Sequence, residues 1–271
     1  MRDMPSLVVT RPQPDATLWV QQLQAQGLQA HALPMMVIGP SQSPAAIRAV
    51  DQALQRLASY RALMFVSGNA VRYFFEQLRN QGLALPAAQH YWSPGPGTSK
   101  ALMAEGIAAQ QLIQPAAHAA QFDSESLWEQ AQHHIQSGDR ILIVRGGDGQ
   151  HLEDLAQGQG RPWLTQQLQQ RDVHVDFAPV YERQTPAATA DLLAEIDALR
   201  KTQAAWLFSS SECLQHLVRY NHAWSWQGHT ALTTHPRIAL QARQAGFGRV
   251  IETQPSVQSI TASIESLHDL S

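Results

Sequence analysis

Short apolar runs rich in β-branched and aromatic residues recur along the chain, and longer stretches with helical spacing alternate with them. This alternation is typical of βα units and a mostly parallel sheet, because a parallel strand pair needs a long crossover connection. The clearest predicted strands are 6–10, 29–33, 62–66, 91–92, 140–144, 173–178, 205–208 and 249–253, with weaker candidates near Val37, Leu112 and Leu232. These strands are too many for one small doubly wound sheet.

The length supports two domains, since 271 residues correspond to about 1.8 domains at roughly 150 residues each. Two proline-bracketed segments, 34–44 and 179–186, favour extended chain and are candidate crossings between domains. If both are crossings, the first domain comprises 1–36 plus 183–271, the second comprises 39–178, and linkers lie near 35–40 and 178–184. A tandem arrangement of two domains fits the composition nearly as well.

Composition excludes several classes of protein. A formal charge of −3 offers no basic face for nucleic acid. The single cysteine, Cys213, excludes an internal disulfide framework and a cysteine-rich metal site. The first ten residues lack the pattern of a signal peptide, and no window approaches the ~20 apolar residues of a membrane span. We therefore expect a soluble, cytoplasmic protein without a membrane or nucleic-acid partner.

Small polar residues follow several predicted strands. Ser67, Gly68 and Asn69 follow strand 62–66, while 209–211, all serine, follow strand 205–208. A further turn contains Gly95, Gly97 and Thr98. In an open α/β sheet the ligand lies beyond the carboxyl ends of the strands, where helix N-termini attract anions. Each serine or threonine could equally be a plain helix N-cap.

Other motifs point away from common chemistries. Residues 145–149 match neither the dinucleotide-binding motif nor the P-loop. Cys213 and His216 have no third partner, which favours ordinary packing, and His133 and His134 lack metal-ligand spacing. We therefore expect no metal.

Tyr181 lies in the second candidate crossing. Its ring could pack at a hinge, or its hydroxyl could donate a proton to a ligand. A tyrosine with an ordinary pKa near 10 is protonated at neutral pH, so it can donate a proton but is a poor base.

These residues coincide in order with those of a known family, over nearly the whole chain. The matching segments are 10–12 (TRP), 65–71 (FVSGNAV), 95–98 (GPGT), 143–146 (IVRG), 160–161 (GR), 180–183 (VYER), 208–211 (FSSS), 235–239 (HPRIA) and 245–247 (AGF). The chain resembles uroporphyrinogen-III synthase of bacterial tetrapyrrole biosynthesis. It departs from the family pattern at 151–159, which looks like an inserted loop.

The resemblance implies two flavodoxin-like α/β domains joined by two extended linkers, with the active site between them. It also implies a monomeric, cofactor-free enzyme that cyclises linear hydroxymethylbilane with loss of water. Ring D is inverted through a spiro intermediate, and the product is uroporphyrinogen III. The competing interpretation is a two-domain cytoplasmic ligand-binding protein without catalysis.

The resemblance also assigns the candidate site residues. Tyr181 would be the catalytic proton donor. The residues expected to bind the substrate carboxylates are Arg11, Ser67, Asn69, Thr98, Arg145, Gly146, Arg161, Ser209, Ser210 and Arg237.

Overall fold

The computed structural model describes residues 6–87, 89–116, 124–147, 162–202, 204–220 and 223–269. The chain divides into two compact units, one comprising the residues up to Ile38 together with those from Gln184 onward, and the other comprising Gly39–Arg183. Arg161 and the expected insertion at 151–159 lie outside the described residues.

Unit 1 contains a five-stranded sheet whose strands are β1 (Leu7–Val9), β2 (Ala30–Ala32), β9 (Ala205–Phe208), β10 (Thr230–Thr233) and β11 (Arg249–Glu252). Their order in the sheet is β11-β10-β9-β1-β2. Its helices are α1 (Asp15–Ala25), α7 (Ala190–Arg200), α8 (Ser211–Arg219), α9 (Pro236–Gln244) and α10 (Val257–Asp269). Numbered within the unit, the strand order is 2-1-3-4-5, which is that of flavodoxin.

Unit 2 is built on a six-stranded sheet whose strands are β3 (Val37–Pro40), β4 (Ala62–Phe65), β5 (His90–Trp92), β6 (Leu112–Ile113), β7 (Arg140–Gly147) and β8 (His174–Gln184). Their order is β3-β8-β7-β4-β5-β6, and the chain passes between the units within β3 and at the end of β8. The helices of unit 2 are α2 (Pro44–Gln55), α3 (Gly68–Asn80), α4 (Pro96–Ala104), α5 (Ser124–Ala131) and α6 (Pro162–Gln170). Two mostly parallel sheets flanked by helices were expected, and this fold class is confirmed.

The buried strands are nearly continuous apolar runs because helices cover both faces of each sheet. In unit 1 the side chains alternate between two cores. Leu7 and Val9 pack on one face with Leu207, whereas Val8 packs on the other face with Trp206. The two-residue period of a strand therefore explains why β1 has no polar side.

Local signals at the ends of elements also match the structure. Gly27 has a φ of +84°, a conformation that glycine adopts without strain. Its N–H donates to the Gln24 carbonyl and the Leu28 N–H donates to the Leu23 carbonyl, which ends α1. The strands predicted near Val37, Leu112 and Leu232 are present as β3, β6 and β10.

One strand is longer than its pattern predicts. The apolar pattern predicted a strand over 173–178, but β8 continues to Gln184 and pairs with β7 as far as Glu182. Pro179 lies inside this strand, at a register shift between Arg145 and Gly146 of β7. Proline is tolerated in a strand at such an irregularity. The strand end predicted from the sequence therefore lies too early in the chain.

Two histidine side chains of unit 2 lie in contact. The ring centroids of His90 and His134 are 4.9 Å apart. Burial lowers the pKa of His90 from its ordinary value of about 6.5, and the charges of His134 and Arg61 lower it further. Because the folded pKa lies below the unfolded one, His90 contributes stability that is present above pH ~6.5 and is lost as the pH falls through the folded pKa.

We therefore expect the free energy of unfolding to fall from pH 7.5 to pH 5.5, and His90→Gln to reduce this fall. Urea unfolding at both pH values measures it. His31→Gln, at an exposed position of unit 1, is the control for replacing a histidine. An unchanged pH dependence in His90→Gln would contradict the assignment.

Candidate active site

The strand order marks one position in each sheet where a ligand is expected. In unit 1 the chain leaves β1 for one side of the sheet, toward β2, and leaves β9 for the other side, toward β10. In unit 2 the same divergence occurs between β4 and β7. Open α/β sheets bind ligands at such switch points, beyond the carboxyl ends of the strands. Those predicted site residues that the structure describes lie at these edges.

Tyr181 is placed at the edge of unit 2 by an irregularity in strand pairing. Arg145 pairs with Pro179, but the next residue, Gly146, pairs with Tyr181, so Val180 is an extra residue on β8. A bulge of this kind redirects the side chains that follow it. It brings the Tyr181 ring over the backbone of Gly146.

Gly146 is the residue that leaves room for this ring. A Cβ atom at position 146 would lie 2.5 Å from both Cε2 and Cζ of Tyr181 and 3.0 Å from its hydroxyl oxygen. No side chain is compatible with those distances unless the ring moves. Tyr181 is only 2% exposed, so the ring has little space into which it can move.

Ser67 provides the hydrogen-bond partner of the Tyr181 hydroxyl. The two hydroxyl oxygens are 3.2 Å apart, and either could be the donor. Ser67 follows β4 and is also the N-cap of α3, where its Oγ accepts a hydrogen bond from the Ala70 N–H at 3.2 Å. The N-cap interpretation of Ser67 is therefore confirmed, and its role in substrate binding stays a prediction.

Two residues around Tyr181 were missed by sequence reasoning. The ring of Tyr73, on α3, stacks on the Tyr181 ring with centroids 5.9 Å apart and planes 25° apart. Glu182 is buried, and its carboxylate accepts hydrogen bonds from the N–H groups of Gln42 and Ser43, which lead into α2. Tyr73 carried no sequence signal beyond that of an ordinary core aromatic, whereas Glu182 lies within the family segment 180–183 but was given no role.

The other predicted residues of unit 2 lie near the same edge. Asn69 is half-buried in the first turn of α3, and Thr98 is buried in the first turn of α4. Arg145 is half-buried at the end of β7, where its Nε donates to the Gly146 carbonyl at 3.1 Å. Arg161 falls outside the described residues, so its predicted role stays a prediction.

Arg11 and Ser209 meet at the switch point of unit 1. The Arg11 Nε donates to Ser209 Oγ at 2.9 Å, and the guanidinium lies 4.3 Å from the centroid of the Trp19 ring. Burial lowers the pKa of Arg11, while the nearby Asp15 carboxylate raises it. The guanidinium is thus held in one orientation by an aromatic face and a hydroxyl.

Two further helix N-termini lie at the carboxyl edge of unit 1. Ser210 is the N-cap of α8 and accepts a hydrogen bond from the Glu212 N–H at 3.2 Å. Arg237 lies exposed in the first turn of α9, whose N-cap His235 accepts from the Arg237 N–H through Nδ1 at 3.1 Å. Both termini present positive dipole ends that favour anions.

The groups that could carry other chemistry are used for packing. Cys213 is buried on α8, and burial raises the pKa of its thiol to about 11. His216 contacts the Met35 carbonyl through Nδ1 at 2.6 Å. Within the described ranges, no group of three or more His, Cys, Asp or Glu residues is placed to hold a metal ion. None of the helices described is long and apolar enough to cross a membrane.

A family model described as uroporphyrinogen-III synthase HemD matches residues 18–262 of the chain. A curated relative, the uroporphyrinogen-III synthase of Escherichia coli strain K12, is 27% identical over 178 residues. That alignment covers 66% of this chain and 65% of the relative. The chain therefore matches just under two thirds of the length of that relative.

Two solved structures resemble the chain along almost its whole length. A mutant uroporphyrinogen III synthase from the extremely thermophilic bacterium Thermus thermophilus covers 98% of this chain and all of its own, with a TM-score of 0.56 and 14% identity. The uroporphyrinogen-III synthetase of Helicobacter pylori 26695 covers 99% of this chain and all of its own, with a TM-score of 0.57 and 18% identity. At these low sequence identities the structural similarity shows a shared fold alone.

The close approach at Gly146 generates a prediction with a matched control one residue away. Gly146→Ala forces the Tyr181 ring to move and should lower the free energy of unfolding by about 1–3 kcal/mol, the usual cost of overpacking. A Cβ atom at Gly147 would meet its neighbours at 3.7–3.9 Å, which is ordinary contact. Gly147→Ala should therefore unfold at nearly the wild-type denaturant concentration, and equal effects of the two substitutions would contradict the assignment.

Proposed function

The chain belongs to the uroporphyrinogen-III synthase family, and we propose that it catalyses the reaction for which that family is named. Hydroxymethylbilane, a linear tetrapyrrole, would be closed with loss of water and inversion of ring D to give uroporphyrinogen III. The observation that carries this proposal is the family match over residues 18–262. The polar groups at the two switch points support it because they suit a substrate with many carboxylates.

The proposed substrate sets the main task of the enzyme. Hydroxymethylbilane is flexible, carries eight carboxylates and closes unaided to the symmetric isomer I. The enzyme must therefore hold this substrate in the conformation that favours the spiro route. This is catalysis by orientation. Helix N-termini and arginines are suitable groups because both bind carboxylates through fixed donors.

Each edge supplies such donors. We assign carboxylate binding at the unit 1 edge to Arg11, Ser209, Ser210 and Arg237. At the unit 2 edge we assign it to Asn69, Thr98, Arg145 and the backbone of Gly146, with Arg161 retained from the family motif. Ser67 would contribute both to carboxylate binding and to the orientation of Tyr181.

Tyr181 has the position and the hydrogen bond that suit a proton donor. The hydroxyl of hydroxymethylbilane is a poor leaving group until it takes up a proton and departs as water, with cleavage of its C–O bond. The methylene carbon that lost water first bonds to the already substituted α-carbon of ring D, which gives the spiro intermediate. The older bond from that α-carbon to the neighbouring bridge carbon then breaks, and this bridge carbon bonds to the free α-carbon of ring D. The proton released from that free α-carbon balances the one consumed. The reaction is thus a lyase reaction that needs no external reductant or oxidant. Ser67, 3.2 Å from the phenol oxygen, would orient the Tyr181 hydroxyl.

We further propose that the protein acts as a cytoplasmic monomer without a cofactor. The alternative function is that of a cytoplasmic protein that binds a ligand without catalysis. The family match favours the enzyme.

A coupled assay separates the two functions. Porphobilinogen deaminase generates hydroxymethylbilane, the protein is added, and the oxidised porphyrin isomers are resolved by chromatography. We expect predominantly isomer III. Isomer I alone, from a sample with a cooperative thermal transition, would contradict the enzymatic proposal.

Substitution of Tyr181 tests the proton-donor role. Tyr181→Phe keeps the ring that fills the space over Gly146 and removes only the hydroxyl. We therefore expect a melting temperature within a few degrees of wild type, since one hydrogen bond contributes only about 0.5–1.5 kcal/mol. We expect turnover slower by roughly 10²-fold, at the low end of the effect of losing a general acid. A variant that turns over at the wild-type rate would remove Tyr181 from the mechanism.

A further inference from the structure

We propose that Tyr73 is a positioning residue for Tyr181. This role rests on the proposed function, and none of the segments that match the family contains Tyr73. Its ring fixes the orientation of the Tyr181 phenol, and so of the hydroxyl. Tyr73 acts through this ring contact. Its loss should therefore lower turnover more than it lowers substrate affinity.

The geometry places Tyr73 and Ser67 on the same rigid support. Ser67 caps α3, and Tyr73 lies within that helix, six residues further along the chain. The Ser67 hydroxyl binds the Tyr181 hydroxyl, while the Tyr73 ring stacks on the Tyr181 ring at 5.9 Å and 25°. One helix thus fixes both the polar end and the aromatic body of Tyr181.

The Tyr181 ring needs a contact that sets its orientation as well as its position. Gly146 leaves room for the ring but has no side chain to pack against it. Offset stacking between aromatic rings favours a definite relative orientation. Tyr73 supplies this contact from α3.

Tyr73 is itself held in place. It is 8% exposed, and the guanidinium of the exposed Arg72 lies 4.5 Å from the centroid of its ring. Such cation–π contacts are favourable even at the surface. The Tyr73 ring is therefore a fixed surface for Tyr181 rather than a mobile side chain.

The neighbouring aromatic residues on α3 have a different role. The rings of Phe74 and Phe75 pack against the Phe65 ring, with centroids 5.4 and 6.2 Å away. Phe75 is 7% exposed, nearly the same as Tyr73. It is therefore a matched control for the loss of a buried aromatic ring from this helix.

Three variants test the role in steady-state assays. Tyr73→Leu removes the stacked ring, Tyr73→Phe retains it, and Phe75→Leu removes a ring that packs on Phe65 instead. We expect Tyr73→Leu to lower kcat by about tenfold, in line with the energy of an aromatic pair, with KM within about twofold of wild type. Tyr73→Phe should turn over at the wild-type rate, and Phe75→Leu should lose similar stability with little loss of kcat. Tyr73→Met replaces Tyr73→Leu if the latter does not fold.

A double-mutant comparison excludes a purely structural effect. If Tyr73 acts through the Tyr181 hydroxyl, Tyr73→Leu should slow the Tyr181→Phe enzyme no further. Multiplicative losses in the double mutant would overturn the proposal. Equal kcat losses in Tyr73→Leu and Phe75→Leu would overturn it as well.

A spectroscopic measurement tests the positioning without any activity. The chain has five tyrosines, so ring-labelled tyrosine gives few NMR signals, and the Tyr181 signals are those missing from Tyr181→Phe. Removal of the Tyr73 ring shifts the Tyr181 signals by loss of its ring current alone, so the informative quantity is the flip rate of the Tyr181 ring. This rate should rise in Tyr73→Leu and stay at its wild-type value in Phe75→Leu. A wild-type flip rate in Tyr73→Leu would overturn the positioning role, even if wild type forms isomer III. A faster flip rate without isomer III formation would retain the positioning role and reject the proposed function alone.

Discussion

The candidate site of unit 2 depends on the contact between the Tyr181 ring and the backbone of Gly146. A methyl group at position 146 would come within 2.5 Å of two ring carbons, so the ring and a side chain cannot occupy this place together. The register shift between β7 and β8 creates the contact, because it pairs Gly146 with Tyr181 and leaves Val180 as the extra residue. The hydrogen bond to Ser67 and the stacking on Tyr73 both follow from the position of this ring.

The two sheets differ in strand order, but each provides a switch point at which an anionic ligand can bind. Each has a switch point where parallel strands end between diverging connections, at β1 and β9 in one unit and at β4 and β7 in the other. Both points carry groups that favour anions, and in unit 1 a guanidinium is held by Ser209 and the Trp19 ring. For a flexible polycarboxylate, fixed donors of this kind are useful because they need not reorganise when the substrate binds.

Much of this architecture is predictable from sequence because it depends on local patterns. Apolar runs mark the buried strands, Gly27 marks the end of a helix, and Ser67 marks the start of one, since each signal depends on nearby residues alone. The contact of Gly146 with Tyr181 joins residues 35 positions apart through a pairing irregularity that no local pattern encodes. The length of β8 was mispredicted for the same reason, because a proline that usually interrupts a strand is accommodated at that irregularity. Tyr73 has the spacing of any core aromatic, and only its partner ring distinguishes it.

The Tyr181 ring occupies the space over Gly146, and the proposed reaction requires the ring to be there. The most direct test is the isomer composition formed from hydroxymethylbilane by wild type, Gly146→Ala and Gly147→Ala, each at a temperature where all three are folded. We expect isomer III from wild type and Gly147→Ala, and mainly the spontaneously formed isomer I in the presence of Gly146→Ala. Isomer III formed by Gly146→Ala at the wild-type rate would contradict the requirement for the Tyr181 ring at this place.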